Sequence, residues 1–159
     1  MAKTVFITGT SSGIGLATVK YFTNKNWNVV ATMRDPQYAD SFFNKESIFV
    51  VELDVGNEDL IKQAIKLGIE KFGKIDVVVN NAGIGCFQKS DSRMSENLDH
   101  IVGTNLMGLI RVTEQFIPIL TKQSSSSIIN ISSVVGRVSV PLMGLYVIVP
   151  IRFNTWTTL

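Results

Sequence analysis

Glycines 9, 13 and 15 fall within Thr8-Gly9-Thr10-Ser11-Ser12-Gly13-Ile14-Gly15, directly after a short apolar run. Glycine permits a tight turn and a close approach of backbone to a ligand. A helix opening at such a turn offers unpaired N–H groups and a partial positive charge, which together favour a pyrophosphate. The spacing is G-x-x-x-G-x-G rather than G-x-G-x-x-G, and the alternative for a glycine turn taken alone is plain turn chemistry. Further on, Thr32-Met33-Arg34 carries no acid before Asp35. A carboxylate at that point would grip a ribose 2′-hydroxyl, whereas a guanidinium pairs with a 2′-phosphate. Arg34 therefore favours NADP over NAD, with Ser12 able to donate to the same phosphate. The alternative for Arg34 is a solvated loop charge. Asp54-Val55 sets a carboxylate where an adenine amino group can donate to it, or where it acts as a turn or helix-cap aspartate.

Those residues need strands that end beside them. Residues 4–8 are β-branched and aromatic and stop at Gly9, which predicts a buried strand. Residues 15–24 carry Leu16, Val19, Tyr21 and Phe22 at helical spacing. Residues 28–32, 48–53, 75–79 and 128–131 read as further strands. Residues 58–72 repeat apolar side chains at Leu60, Ile61, Ala64, Ile65 and Leu67, as an amphipathic helix does. A long helical pattern follows over 95–121, with Ser95 as its expected cap and Pro118 as its expected kink. Alternating strands and helices predict an α/β fold: a Rossmann-like, doubly wound parallel sheet of about five strands with helices on both faces. Such sheets bind ligands beyond the carboxyl ends of their strands, where strand order reverses.

Taken in order, the motifs closely resemble the short-chain dehydrogenase/reductase family. The resemblance rests on residues 8–15, Asp54-Val55, Asn80-Asn81-Ala82-Gly83, Asn105, and Ile131-Ser132-Ser133 followed by Tyr146, and covers roughly residues 3–146. It implies an oxidoreductase moving hydride between NADP(H) and an alcohol or ketone. By that resemblance Gly9, Ser11, Ser12, Gly13, Ile14 and Gly15 hold the pyrophosphate and adenosine half of the cofactor. Asn81, Ala82 and Gly83 line its adenine-ribose side. Asn105 holds a water in a proton relay, Ser133 polarises the substrate carbonyl and Tyr146 is the acid or base. Ser133 is preferred to Ser132 because the family's serine stands thirteen positions before its tyrosine. The stretch 28–35 is most similar to the NADP-preferring branch.

A tyrosine hydroxyl has an unperturbed pKa of about 10, so oxidation requires a neighbouring cation to lower it. In the family this is a lysine four residues on. Here the segment reads Tyr146-Val147-Ile148-Val149-Pro150, and no lysine follows Lys122. Proline opposes the helix that would carry the pair, and Val-Ile-Val favours extended backbone. Catalysis is therefore expected to be impaired. The alternatives are a non-catalytic dinucleotide-binding module and a non-functional fragment. Residues 1–146 read as an incomplete dinucleotide-binding domain and 147–159 as an aberrant tail. A disrupted or truncated gene product would produce such a tail more readily than a diverged short form. Without the family's last strands, the fifth strand is expected to be an exposed apolar edge. The family's dimer interface implies homo-oligomerisation through the helix around 95–121.

Composition bounds the rest. The chain has 159 residues, enough for one domain with a core, and a net charge of +2 from 15 basic and 13 acidic residues. No block of like charge argues for nucleic acid. A single cysteine, Cys86, excludes an internal disulfide, and a single histidine, His100, excludes most histidine metal sites, so no metal is expected. Cys86 reads as a bland loop or core thiol, and His100 as a surface or packing residue. No apolar run reaches about 18 residues and no leader is recognised, so the expectation is a cytoplasmic protein with no membrane span and a small-molecule substrate.

Overall fold

The computed structural model describes residues 2–85, 94–133 and 156–158; Tyr38 and residues 94–97 and 156–158 are described by backbone alone. Five strands run parallel: β1 (Thr4–Ile7), β2 (Asn28–Met33), β3 (Ile48–Glu52), β4 (Val77–Asn80) and β5 (Ser127–Asn130). With β6 (Trp156–Thr158) the order is β3-β2-β1-β4-β5-β6. The chain starts at the centre, steps outward to β3, then crosses back to place β4 on the other side of β1. Strand order therefore reverses between β1 and β4, and the glycine turn leaves the sheet at that point.

The strands read as continuous apolar runs because both sheet faces are covered. Alternate side chains of β1 go to opposite sides, as the pleat requires. Val5 and Ile7 join Val19 of α1 (Gly13–Asn24), Val29 and Ala31 in one core. Phe6 joins Val30 and Val78 in the other, beneath α2 (Glu58–Phe72) and α4 (Leu109–Leu120). α2 matches its sequence expectation residue for residue because its ends are chemically marked. Asn57 Oδ1 accepts from the N–H groups of Asp59 (3.0 Å) and Leu60 (3.2 Å), and Gly73 closes the helix at φ 82°.

The long helical run divides where its composition gives no warning. α3 (Met94–Val102) passes into a π-helical segment, Gly103–Gly108, and then into α4. Ser95 lies inside α3 rather than ahead of it, so the expected cap is corrected. Pro118 sits in the final turn of α4, which ends at Leu120. The expectation for the sheet edge is also corrected. β6, drawn from the tail, pairs antiparallel with β5 in the register Ser127↔Thr158, Ile128↔Thr157, Ile129↔Trp156. An edge strand offers a row of unpaired N–H and C=O groups to any extended partner, and Trp-Thr-Thr suits extended backbone. Tyr146, Pro150 and Cys86 lie outside the described residues.

The second core depends on Phe116, fully buried and edge-on to Phe6 with centroids 4.9 Å apart. Phe116→Ala is expected to cost about 3–5 kcal/mol. Urea unfolding followed by circular dichroism measures it, and a loss below about 1 kcal/mol would contradict this packing.

Candidate functional site

The glycine turn is built by backbone contacts that exclude side chains. Gly9 has φ 69°, and a Cβ there would fall 2.7 Å from Ala82 Cα. A Cβ on Gly15 would overlap the Gly9 carbonyl oxygen and come within 2.6 Å of Asn81 Nδ2. Gly13, at φ 55°, differs: a Cβ on it would meet nothing within 4 Å. Gly9 and Gly15 thus serve close packing, while Gly13 borders open space at the start of α1.

Buried threonines hold this turn to the sheet. Thr8 is 1% exposed, and its Oγ1 accepts from the N–H groups of Asn81 and Ala82, each at 2.9 Å. The same hydroxyl donates to the Val79 carbonyl at 3.5 Å. Asn81 Nδ2 in turn donates to the carbonyls of Thr8 and Gly9, both at 2.9 Å. Thr10 binds the Thr32 carbonyl through its N–H (2.9 Å) and its Oγ1 (3.0 Å), tying the turn to β2. Sequence reasoning missed Thr8, Thr10 and Thr32, because a threonine in a strand reads only as β-propensity and one in a turn only as turn chemistry.

A cleft of about 430 Å³ opens above the turn. It is lined by Gly9, Ser11, Ser12, Gly13, Ile14 and Gly15 on the α1 side, and by Arg34, Asp54 and Val55 at the ends of β2 and β3. Asn81, Ala82 and Gly83 line it at the end of β4. All twelve residues expected from sequence to hold a cofactor therefore converge on one cavity. Ser12 precedes α1 in extended conformation and makes no side-chain capping bond, and the first turn of α1 carries no acid. Nothing negative on that helix thus competes with an anion for its opening N–H groups. Ile14 is 62% exposed and lines the cleft, an apolar side chain awaiting cover. Asp35, the carboxylate after Arg34, turns away: Oδ1 accepts from Gln37 N at 3.3 Å and Oδ2 from Gln37 Nε2 at 2.8 Å. Asp54 borders the cleft while its Oδ1 accepts from Gly56 N–H at 2.8 Å, so it is at least a turn aspartate. A negatively charged, flat-based nucleotide fits this donor set and the open space beside Gly13.

Helix α3 and the π segment form the remaining wall. Asn105 Oδ1 accepts from Ile84 N and its Nδ2 donates to Ile84 O, both at 2.8 Å. Its carbonyl oxygen has a second lone pair beyond the Ile84 bond. π segments disrupt a helix to re-aim a residue and occur often at functional sites. His100, exposed as the surface reading expects, lines the cleft together with Thr104. At the end of β5, Ser132 and Ser133 are half-buried, and Ile131 N–H donates to Asn80 O at 2.9 Å. Asn80 Nδ2 donates to Thr113 Oγ1 (3.1 Å) and Asn130 Oδ1 (2.9 Å), fixing β4, α4 and β5 together below the site. Tyr146 lies outside the described residues. Among those described, no three His, Cys, Asp or Glu side chains are grouped to hold a metal, and no helix is long and apolar enough to cross a membrane.

Comparison with known proteins gives one family. The short chain dehydrogenase family matches residues 3–147. The chain is 40% identical over 149 residues to the oxidoreductase BOA17 of Botryotinia fuckeliana, covering 92% of this chain and 54% of that one. It is 35% identical over 139 residues to the 3-oxoacyl-[acyl-carrier-protein] reductase FabG of Thermotoga maritima, covering 84% of this chain and 56% of that one. Among solved structures, the 3-ketoacyl-(acyl-carrier-protein) reductase of Brucella melitensis complexed with NADH superposes with a TM-score of 0.87 at 30% identity. That match covers 93% of this chain and 64% of that one. ElxO with NADP bound superposes at 0.84 and 30% identity, covering 94% and 63%. The chain thus spans roughly half to just under two thirds of the length of these relatives.

The Thr8 hydroxyl is the sharpest structural target in the site. Thr8→Val leaves the Asn81 and Ala82 N–H groups without their acceptor, at about 1–3 kcal/mol for each group left unpaired. Thr8→Ser, which keeps the oxygen, is expected to lose far less. Urea midpoints of the two variants compare them directly; equal losses would contradict the bracing role.

Proposed function

The chain belongs to the short-chain dehydrogenase family, and on that premise we propose that it binds NADP(H) in the glycine-turn cleft as an oxidoreductase of alcohols and ketones whose catalytic step is impaired. The observation that carries this reading is the convergence of the glycine turn, Arg34 and Asp54 on one cleft. The NADH- and NADP-bound structures of similar proteins support it. The coenzyme would supply the hydride and leave this chain to bind, orient and move a proton.

Gly13 and the opening N–H groups of α1 receive the pyrophosphate, where the helix charge favours it. Ser12 and Arg34 hold the 2′-phosphate, Arg34 through a charge-assisted pair. Asp54 and Val55 face the adenine. Asn81 supports the ribose chiefly by fixing the turn, since its amide already binds two turn carbonyls. At the reacting end, Ser133 orients the substrate oxygen, Tyr146 exchanges its proton, and Asn105 holds a relay water on its remaining lone pair. Tyr146 needs a cation beside it, and Pro150 stands where the family carries lysine. That substitution favours a second reading, a dinucleotide-binding module without turnover. Met107 and Ile117 stand 37% and 44% exposed on the helix around 95–121, which supports self-association through it. The proposed setting is the cytoplasm.

Fluorescence titration with NADPH and NADH, followed by an assay with a panel of ketones, tests the proposal. NADPH is expected to bind more tightly. Arg34→Ala is expected to weaken NADPH about tenfold, equivalent to about 1.4 kcal/mol, with NADH nearly unchanged. Equal losses for both coenzymes would remove Arg34 from the phosphate site. Turnover is expected to fall well short of about 1 s⁻¹, the lower end of ordinary enzyme rates, and reaching it would refute the impairment.

A further inference from the structure

We propose that His100 contacts the adenine base of the coenzyme at the outer rim of the cleft. This assignment rests on the reading of the cleft as a dinucleotide site. His100 and Thr104 both line the cavity. Four residues apart, they occupy one face of the helix. The helix that carries them is fixed at two points. Asn105 grips both backbone groups of Ile84. Gly108 lies bare against the loop after β3, where a Cβ would fall 2.5 Å from Val55 Cγ2.

From Gly108 the helix runs inward to Val112 and Phe116 in the core. In the other direction it passes Thr104 and then His100, with Ile101 between them buried, and both His100 and Thr104 face the cleft. Leu53, Asp54 and Val55 form the floor on that side, at the end of β3. The pyrophosphate end lies elsewhere, at the opening of α1. A base resting on Val55 therefore has Thr104 beside it and His100 at its outer edge. An imidazole suits a purine: it is flat, and it carries one N–H donor and one acceptor in its neutral form. His100 is exposed, so its ring is accessible to a base entering the cleft.

His100 is the only histidine of the chain, so its ring protons report on this position without a variant. Nuclear magnetic resonance of the full chain, titrated separately with 5′-AMP and nicotinamide mononucleotide, tests the assignment. 5′-AMP is expected to shift the His100 Hε1 signal along the same saturation curve as the Gly9, Gly13 and Gly15 amides. Nicotinamide mononucleotide is expected to leave His100 unmoved. His100→Ala is expected to weaken 5′-AMP about threefold to tenfold. Saturation of the glycine amides by 5′-AMP with a stationary His100 signal and unchanged affinity in His100→Ala would overturn the assignment alone. Glycine amides that ignore NADPH itself would overturn the dinucleotide reading and this contact with it.

Discussion

One hydroxyl group, that of Thr8, decides where the glycine turn sits. It is buried, it receives two backbone N–H groups from the end of β4, and it donates to the carbonyl of Val79. Its full hydrogen-bonding capacity is thus used across the point where strand order reverses. Asn81 completes the clasp by donating to the turn carbonyls of Thr8 and Gly9. Low polarity around such a network strengthens each bond and penalises any that is broken. The bare backbones of Gly9 and Gly15 follow from this clasp, because the turn is drawn so close to Ala82 and Asn81 that no side chain fits between.

The opposite wall is positioned by a separate device. The π-helical segment lets Asn105 pair with the backbone of Ile84 while Gly108 lies against Val55. One helix thereby touches the exits of both β3 and β4. The cleft between turn and helix is consequently shaped by loops that are held from both sides, by the Thr8 clasp and by the Asn105 and Gly108 contacts. Its chemistry divides along the same line. The opening turn of α1 offers N–H groups with no acid beside them, and the buried Leu53 and Val55 close the cleft at the end of β3.

Much of this was legible in the residues. The five parallel strands stand out because strands covered on both faces are unbroken apolar runs. α2 was readable to its ends because Asn57 and Gly73 are both chemical stops. The cleft-lining glycines, Arg34 and Asp54 are legible because they follow the ends of predicted strands. Other features leave no local trace. The π segment depends on what Gly108 packs against, which spacing along one helix cannot reveal. Thr8 and Thr32 read as ordinary strand formers, and Thr10 as a turn residue, until their partners, many residues away, are in place. His100 reads as a surface or packing residue because a lone histidine has no pattern, and its place beside Thr104 on the cleft wall emerges only in the fold. The pairing of Trp156–Thr158 with β5 was missed because three residues carry too little periodicity to register as a strand. The two readings of Asp54 turned out to be compatible, since it closes a turn and borders the cleft at once.

The central claim is that the space above Gly13 is built for a phosphorylated dinucleotide. Hydrogen exchange of the folded chain with and without saturating NADPH addresses it most directly. The account expects slowed exchange confined to the Gly9–Gly15 turn, the start of α1 and the ends of β2, β3 and β4, with the far end of α2 at Gly73 unchanged. A folded protein that shows no added protection in the glycine turn at millimolar NADPH would contradict it.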